Sequence, residues 1–360
     1  MHVATMWWSL GTLAVAVTLW SVFRFALLVV HVVAWAYFHA FTAAFRLIRA
    51  CVVVVFGRTQ APPPRRLAAP SSASPHELLA GLPRVELPFK AFADGVVLAF
   101  EPCSNLCVYN FGAAACLQRA LNYEEIRPHL RFTGASSGAL VAAVLALDAD
   151  IMELFLKCLR LLGDLNTRRC GWIGAYSRTI RELVRAAAEV RDAAVPLRKE
   201  CLRIRTTALG PLPFARDLTD FASQADLELA VLASCYIPVV WEEPIWLKGV
   251  GPCLDGGATG FLVDGDFVFG PYHSNLPDVG PEREYPRQLV FQPVDAQDLL
   301  RLFEDGYRDC ARWVAVGCPS RRTERLDRTS NKESAGKVLA REAWATFLEV
   351  AGIRAKPFTT

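Results

Sequence analysis

The stretch RFTGASSGALVAAVLAL at residues 131–147 decides the fold. A short apolar run, Leu130–Thr133, leads into five small residues, Gly134–Gly138, and a strongly apolar stretch, Ala139–Leu147, follows them. This pattern predicts a buried strand, a tight turn and a buried helix, in that order. The turn has the form Gly-x-Ser-x-Gly, in which small neighbours allow a strained bend that exposes a serine hydroxyl at the end of the strand. Ser136 is therefore the candidate nucleophile.

The same motif has a structural alternative, in which Ser136 is only the N-cap of the following helix, a position that serine favours. The nucleophile interpretation is preferred because the motif lies between an apolar strand and an apolar helix, which is the context that such a turn requires. In this interpretation Gly134 and Gly138 are the two glycines of the motif.

Strand and helix patterns alternate along the chain from about Leu87 onward. Short apolar runs predict two further strands, at Val96–Phe100 and Leu202–Thr206. Amphipathic or apolar stretches predict helices at Phe111–Leu121, Ile151–Leu162, Ser177–Val190, Leu227–Cys235 and Val338–Val350. A hairpin with a tight Asp264-Gly265 turn is predicted at Phe261–Phe269. Alternating strands and helices indicate an α/β domain, with a mainly parallel sheet that helices cover on both faces.

A serine hydroxyl needs a base within hydrogen-bond reach to become a nucleophile, and the sequence offers two candidates. Asp255 precedes two glycines, Gly256 and Gly257, which permit a tight turn that brings the carboxylate close to another part of the backbone. His273 would instead complete the order Ser, Asp, His of an ordinary hydrolase triad. It follows Asp255 by only eighteen positions, in a loop rich in Gly and Pro, so a surface histidine is the favoured interpretation.

Two long apolar runs, Met6–Phe23 and Phe25–Phe45, precede the α/β domain. Either run is long enough to cross the hydrocarbon core of a bilayer. A cleavable signal peptide is disfavoured because no Lys or Arg precedes the first run and the apolar character continues too far. We therefore expect residues 1–60 to be a hydrophobic helical membrane anchor, either spanning or re-entrant. The arginines after the second run predict that the rest of the chain faces the cytoplasm. The expected location is the endoplasmic reticulum or a lipid droplet.

The remaining boundaries follow from composition. Residues 61–86 begin with a stretch rich in Pro, Ala and Ser and predict a linker. Residues 87–318 hold the motifs and predict the catalytic domain, and residues 319–360 predict a charged segment with a C-terminal helix.

Charge and cysteine usage exclude several classes of protein. Residues 1–76 contain six arginines and no acidic residue, so the rest of the chain has a net charge of about −3 and lacks the basic surface that nucleic acid requires. The 11 cysteines are scattered without the spacing of a zinc site, which fits reduced thiols in a cytosolic domain. No metal site and no nucleic-acid partner are predicted, and nothing in the sequence identifies a protein partner.

Taken together, the motifs resemble those of the patatin-like phospholipase family, whose hallmark is a Gly-x-Ser-x-Gly serine paired with the Asp of an Asp-Gly-Gly or Asp-Gly-Ala motif. The family lacks a catalytic His. The similarity runs from about Val96 to Pro277 and is closest in appearance to the adipose triglyceride lipase branch. The residues that carry that likeness are Phe100, Cys103, Leu106, Val108-Tyr109, Gly112, Cys116-Leu117, Ser234–Val239, Asn275-Leu276-Pro277 and Gly306–Asp309.

The resemblance implies a three-layer α/β/α fold and hydrolysis of glycerolipid or phospholipid esters through an acyl-enzyme. Ser136 would attack the acyl carbonyl, and Asp255 would accept its proton and later activate water. No metal or organic cofactor is implied, and the expected partners are a lipid substrate and a membrane or lipid-droplet surface.

The loop after the first strand departs from the family, which usually forms its oxyanion hole there with several glycines. Residues 101–107 read EPCSNLC, and Pro102 has no N–H to donate. The remaining candidate donors are the amides of Cys103, Ser104, Asn105 and Ser137. Since loss of one such donor typically lowers kcat by 10²–10³, the alternative function is a catalytically weak protein that binds lipid or regulates another enzyme.

Overall fold

The computed structural model describes residues 75–167, 176–189, 198, 200–209, 213–237, 245–260, 263–285, 289 and 296–330. The predicted anchor at residues 1–60, most of the predicted linker and the predicted helix at Val338–Val350 lie outside these ranges. Among the residues described, no helix combines the length and the apolar character needed to cross a membrane.

Seven strands among the described residues form one mixed sheet. β1 pairs in parallel with β2 and β7, and β2 pairs in parallel with β3, whereas β4 and β6 pair antiparallel with β3 and β5 pairs antiparallel with β6. The predicted parallel arrangement therefore holds at the centre of the sheet. The strands are β1 (Val97–Phe100), β2 (Arg131–Ala135), β3 (Leu202–Leu209), β4 (Pro213–Leu218), β5 (Ile245–Leu247), β6 (Gly251–Leu254) and β7 (Phe267–Phe269).

The helices confirm the five predictions that fall on described residues, with ends shifted by at most five positions. A long amphipathic helix near the end of the described chain was not predicted from periodicity. The helices are α1 (Pro75–Leu79), α2 (Phe89–Phe92), α3 (Cys107–Gln118), α4 (Tyr123–Ile126), α5 (Ser137–Ala146), α6 (Ile151–Thr167), α7 (Tyr176–Glu189), α8 (Gln224–Ser234), α9 (Ala296–Ala315) and α10 (Arg322–Ser330).

The buried apolar side chains form two clusters, because successive strand residues point to opposite faces of a sheet. The larger cluster contains alternate strand residues such as Leu98 and Phe100, together with the buried side chains of α2 to α9. The smaller cluster contains Ala99, Ala135 and Val268, and Val263 packs on them. The described helices α2 to α9 thus pack on one face, so a helical layer on the second face remains a prediction.

The hairpin predicted around Asp264-Gly265 is wrong. Its second half does form a strand, but β7 pairs in parallel with β1 at Leu98↔Phe267. Val263, the one described residue of the predicted first arm, is not in a strand. A side chain at Gly265 would place its Cβ 2.5 Å from the Cβ of Ala99, which is an impossible contact. The glycine therefore allows the chain to cross closely over the sheet, and tertiary packing overrides the local turn signal.

Candidate active site

The register of β3 explains how two distant motifs meet. β4 pairs with β3 along Ile204–Leu209. β2 ends at the pair Ala135↔Arg205, and β6 ends at the pair Leu254↔Thr207. Because β4 occupies one side of β3 at all these positions, β2 and β6 both lie on the other side. β2 and β6 therefore approach each other end to end along the same side of β3.

Only Thr206 separates the ends of the two strands along β3. Ser136 directly follows β2 and Asp255 directly follows β6, so the two candidate catalytic residues leave the sheet at the same place. The Thr206 hydroxyl donates to the carbonyl of Leu254 at 3.0 Å, which holds the end of β6 against β3. The sequence motifs predicted these two residues, and the strand pairing brings them together.

The Ser136 backbone has the strained conformation of a nucleophile turn. Its φ of 53° and ψ of −132° lie in a region that residues other than glycine rarely adopt. The Ser136 side chain makes no capping hydrogen bond to the following helix, so the N-cap alternative has no support. The hydroxyl is thus not committed to the helix and is available for chemistry.

The two glycines of the motif are required by close backbone packing. A Cβ at Gly134 would lie 2.4 Å from the carbonyl oxygen of Gly138. A Cβ at Gly138 would lie 2.2 Å from the carbonyl oxygen of Phe100, at the end of β1. Both contacts are with backbone atoms, which cannot move aside as the tip of a side chain could. The motif therefore lets α5 begin directly against β1 and β2.

Ser234 fixes the turn from the opposite side. Its hydroxyl accepts the N–H of Ser136 at 2.8 Å and donates to the carbonyl of Arg205 on β3 at 2.6 Å. Ser234 is fully buried, so water does not compete for either bond. Sequence reasoning noted this residue as part of a family-like segment, but nothing in the sequence shows that it binds a residue 98 positions away.

Hydrogen bonds fix the position of Asp255 but leave one of its carboxylate oxygens without a partner among the described residues. Oδ1 accepts the N–H of Gly257 at 2.8 Å, and the backbone carbonyl of Asp255 accepts the Thr207 hydroxyl at 2.8 Å. Oδ2 is buried and has no hydrogen-bond partner among the described residues. The Ser136 side chain lies close enough to lower the pKa of the carboxyl, although it forms no hydrogen bond of normal geometry with Oδ2. Contacts of this kind often tighten only when substrate binds.

Burial tunes Asp255 towards the role of a base. Removal of the carboxylate from water raises its pKa from 3.8 to about 6, while the Ser136 hydroxyl and the Gly257 amide lower it. The group is therefore ionised at neutral pH and more basic than an exposed aspartate. A general base works best when its pKa lies near the operating pH.

His273 takes no part in this pair. It begins a short 3₁₀ turn, and its Nδ1 lies 3.1 Å from the carbonyl oxygen of Pro281. No hydrogen bond among the described residues joins it to Ser136 or Asp255. The geometry thus favours a dyad of serine and aspartate over a triad.

The loop after β1 offers few free amides. Pro102, which lacks an N–H, packs on the Asp-Gly-Gly turn, where a Cβ at Gly257 would lie 3.2 Å from its ring. The Cys103 N–H donates to the Ser137 hydroxyl oxygen at 3.1 Å. The next residue, Ser104, has a φ of 49°, the left-handed conformation that glycine adopts more easily.

Two other predicted oxyanion donors sit at the starts of helical turns. Ser137 is the first residue of α5, and its N–H has no acceptor among the described residues. Asn105 is a buried residue within the 3₁₀ turn Ser104–Leu106. Of the predicted donors, the Ser137 amide is therefore the best placed to stabilise negative charge beside Ser136.

Glu101 is a buried acid that sequence reasoning did not single out. Neither carboxyl oxygen has a hydrogen-bond partner among the described residues. Burial raises the pKa of Glu101 to about 8, although Asn275 and Arg325 lower it. A Cβ at Gly270 would lie 1.9 Å from Oε2, so that glycine makes room for the carboxyl. Burial thus favours the protonated, neutral form of the side chain, which lessens the cost of its burial.

No group of three or more His, Cys, Asp or Glu side chains suited to a metal ion occurs in the described part of the chain. The nine described cysteines are all free and buried.

Comparison with known proteins identifies the family of this domain. Residues 98–265 match the family model described as Patatin-like phospholipase, and this range contains both Ser136 and Asp255. The comparison with curated proteins found no match. Among solved structures, VipD from Legionella pneumophila is similar, with a TM-score of 0.34 and 11% identity over 62% of this chain and 67% of that chain. The patatin-like phospholipase domain predicted from the motifs is confirmed at residues 98–265, whereas the adipose triglyceride lipase branch remains a prediction.

Proposed function

We propose that the patatin-like phospholipase domain at residues 98–265 hydrolyses acyl esters of lipids with Ser136 as nucleophile and Asp255 as base. The observation that carries this proposal is the convergence of β2 and β6 on β3. It delivers a strained serine and a buried aspartate, with one carboxylate oxygen unpaired, to the same point of the sheet.

In the acylation step, Ser136 Oγ attacks the acyl carbonyl carbon while Asp255 accepts the hydroxyl proton. The ester C–O bond breaks, and the departing alcohol takes that proton. In deacylation, Asp255 accepts a proton from water, whose oxygen attacks the acyl-serine. The fatty acid leaves and Ser136 regains a proton from Asp255. The Ser137 N–H stabilises the oxyanion in both steps.

A lipid ester is the substrate class that the patatin-like domain supports. Phospholipid and acylglycerol, including triacylglycerol, both fit the proposed chemistry. Comparing lipid extracts from cells that express the wild type or a Ser136→Ala variant would show which ester class accumulates when the nucleophile is absent.

The test of the proposal is covalent labelling with a fluorophosphonate, which reacts with activated serines. The full-length wild-type protein is incubated with the probe, digested and analysed by mass spectrometry, and the adduct is expected on the peptide that contains Ser136. The Ser136→Ala protein is the control. Equal labelling of both proteins, or no labelling of either, would refute the proposed chemistry.

A second candidate function has one observation in its favour. Pro102 has no N–H, and the Cys103 amide is already bound to a side chain, so the loop supplies little stabilisation to an oxyanion. A domain of this kind could bind lipid and regulate another protein while turning over slowly. Restoring glycine at Pro102 and Ser104 would then create hydrolysis that the wild type lacks.

Attachment to a cytoplasm-facing membrane surface through residues 1–60 is also part of the proposal. It rests on the two apolar runs and on the arginines that follow the second of them. We expect a protein that lacks residues 1–60 to leave the membrane fraction and stay in the supernatant after high-speed centrifugation. If the shortened protein still sediments with membranes as fully as the full-length chain, the anchor lies elsewhere.

A further inference from the structure

A side-chain hydroxyl binds the Cys103 amide in the loop after β1. Ser137 directly follows Ser136, and its Oγ accepts the N–H of Cys103 at 3.1 Å. The Cys103 thiol lies 3.5 Å from the same oxygen. Both residues are only 2% exposed, so no solvent competes for the bond. The side chain next to the nucleophile therefore binds the loop that faces it.

This bond matters because few other donors are available. Acyl transfer develops negative charge on the carbonyl oxygen, and each properly aimed N–H lowers the barrier. On the loop side, Pro102 has no N–H. Cys103 is therefore the first residue after this proline whose backbone N–H can donate a hydrogen bond. A donor that is bound to a hydroxyl oxygen is not available to an oxyanion.

Hydrogen bonds within the loop after β1 hold the Cys103 amide in its orientation. The carbonyl of Cys103 accepts the N–H of Leu106 at 3.0 Å, and the carbonyl of Glu101 accepts the Asn110 side-chain amide at 3.4 Å. The Pro102 ring packs on Gly257 in between. The loop is thus held on both sides of the Cys103 amide. The Ser137 side chain, in contrast, needs only a rotation about its Cα–Cβ bond to leave.

We infer that the Ser137 hydroxyl masks the Cys103 N–H and thereby keeps the lipid hydrolase at a low basal rate. The inference rests on the proposed function, because masking matters only if an oxyanion forms beside Ser136. Release of the hydroxyl would present two amides, those of Ser137 and Cys103, to the oxyanion in place of one.

The test is the Ser137→Ala variant of the full-length protein, assayed with a soluble p-nitrophenyl acyl ester. Removal of the hydroxyl frees the Cys103 amide and leaves the Ser137 amide in place, so kcat is expected to rise by about 10- to 100-fold, within the contribution of one oxyanion donor. KM should change little. The melting temperature should fall, because a buried N–H loses its partner in the resting protein.

The combination of higher activity and lower stability separates masking from a merely structural role. Ser223→Ala is the matched control, since Ser223 caps α8 on the exposed surface and its side chain accepts the N–H of Asp226. That change should lower the melting temperature without raising kcat.

The possible outcomes distinguish masking by Ser137 from the proposed hydrolase activity on which it rests. A wild-type protein that turns over the ester, together with a Ser137→Ala protein that is no faster, would overturn the masking and leave the Ser136 chemistry standing. If neither protein hydrolyses the ester or reacts with a fluorophosphonate while both remain folded, the proposed function fails and the masking fails with it.

Discussion

Replacing Asp255 with asparagine lowers kcat by about 10⁴-fold, at the upper end of what a general base contributes. The amide has nearly the same shape as the carboxylate, and its oxygen can still accept the Gly257 N–H that binds Oδ1 in the wild type. It cannot accept the proton of the Ser136 hydroxyl. Steady-state hydrolysis of a p-nitrophenyl ester measures the effect.

The same Asp255→Asn change is expected to stabilise the protein at neutral pH. The pKa of Asp255 is raised from 3.8 to about 6, so the folded state holds the proton more tightly than the unfolded state. Stability due to this group is therefore complete below about pH 4 and is lost as the pH rises through 6. The uncharged amide avoids that loss, which amounts to up to about 3 kcal/mol for a shift of this size.

Urea denaturation of both proteins at pH 4 and pH 7 checks the sign. The variant should gain stability over the wild type at pH 7, and the gain should shrink at pH 4. Wild-type kcat should increase with pH through about 6, as the base ionises. His273→Ala is the control for activity and should turn over normally. Activity of Asp255→Asn within tenfold of the wild type, or a large loss in His273→Ala, would rule out the dyad.

The two residues of the proposed catalytic pair differ in how far the sequence could predict their positions. The strand, turn and helix around Ser136 are local, and apolar run lengths and small residues were enough to place them. The Asp-Gly-Gly motif marked Asp255 as the partner. Asp255 lies near Ser136 only because β6 runs antiparallel along β3. β6 is a four-residue strand that contains Pro252, and it has no hydrophobic periodicity that would predict it from the sequence.

The supporting contacts were beyond sequence reasoning for a related reason. Ser234 and Ser136 are joined by a bond that spans 98 positions, and Cys103 meets Ser137 across 34. Such contacts arise from the register of neighbouring strands and from how α5 and α8 pack, which no local pattern encodes. The false hairpin at Gly265 has the same origin, since a glycine needed for close passage over Ala99 resembles a glycine needed for a turn.

Gly138→Ala is expected to cost about 3 kcal/mol of folding stability or more, and to abolish labelling of Ser136. The new methyl group would lie 2.2 Å from the carbonyl oxygen of Phe100 and 2.6 Å from that of Glu101. Both are backbone atoms of the strand end and the loop, so α5 must move away from β1. That displacement carries the Ser136 turn out of register with Asp255.

A matched glycine in the next helix separates steric conflict from a general effect of alanine. Gly163 lies within α6, and a Cβ built there meets nothing within 4 Å among the described residues outside the helix's own backbone. Alanine is a better helix former than glycine, so Gly163→Ala should stabilise the protein by about 0.5–1 kcal/mol and leave labelling unchanged. Urea denaturation and fluorophosphonate labelling of both variants measure the contrast. Since the same methyl group is added to a helix in each case, opposite signs can come only from the backbone of β1 and its loop pressing on α5. A Gly138→Ala protein as stable and as reactive as the wild type would mean that the nucleophile turn does not depend on that contact.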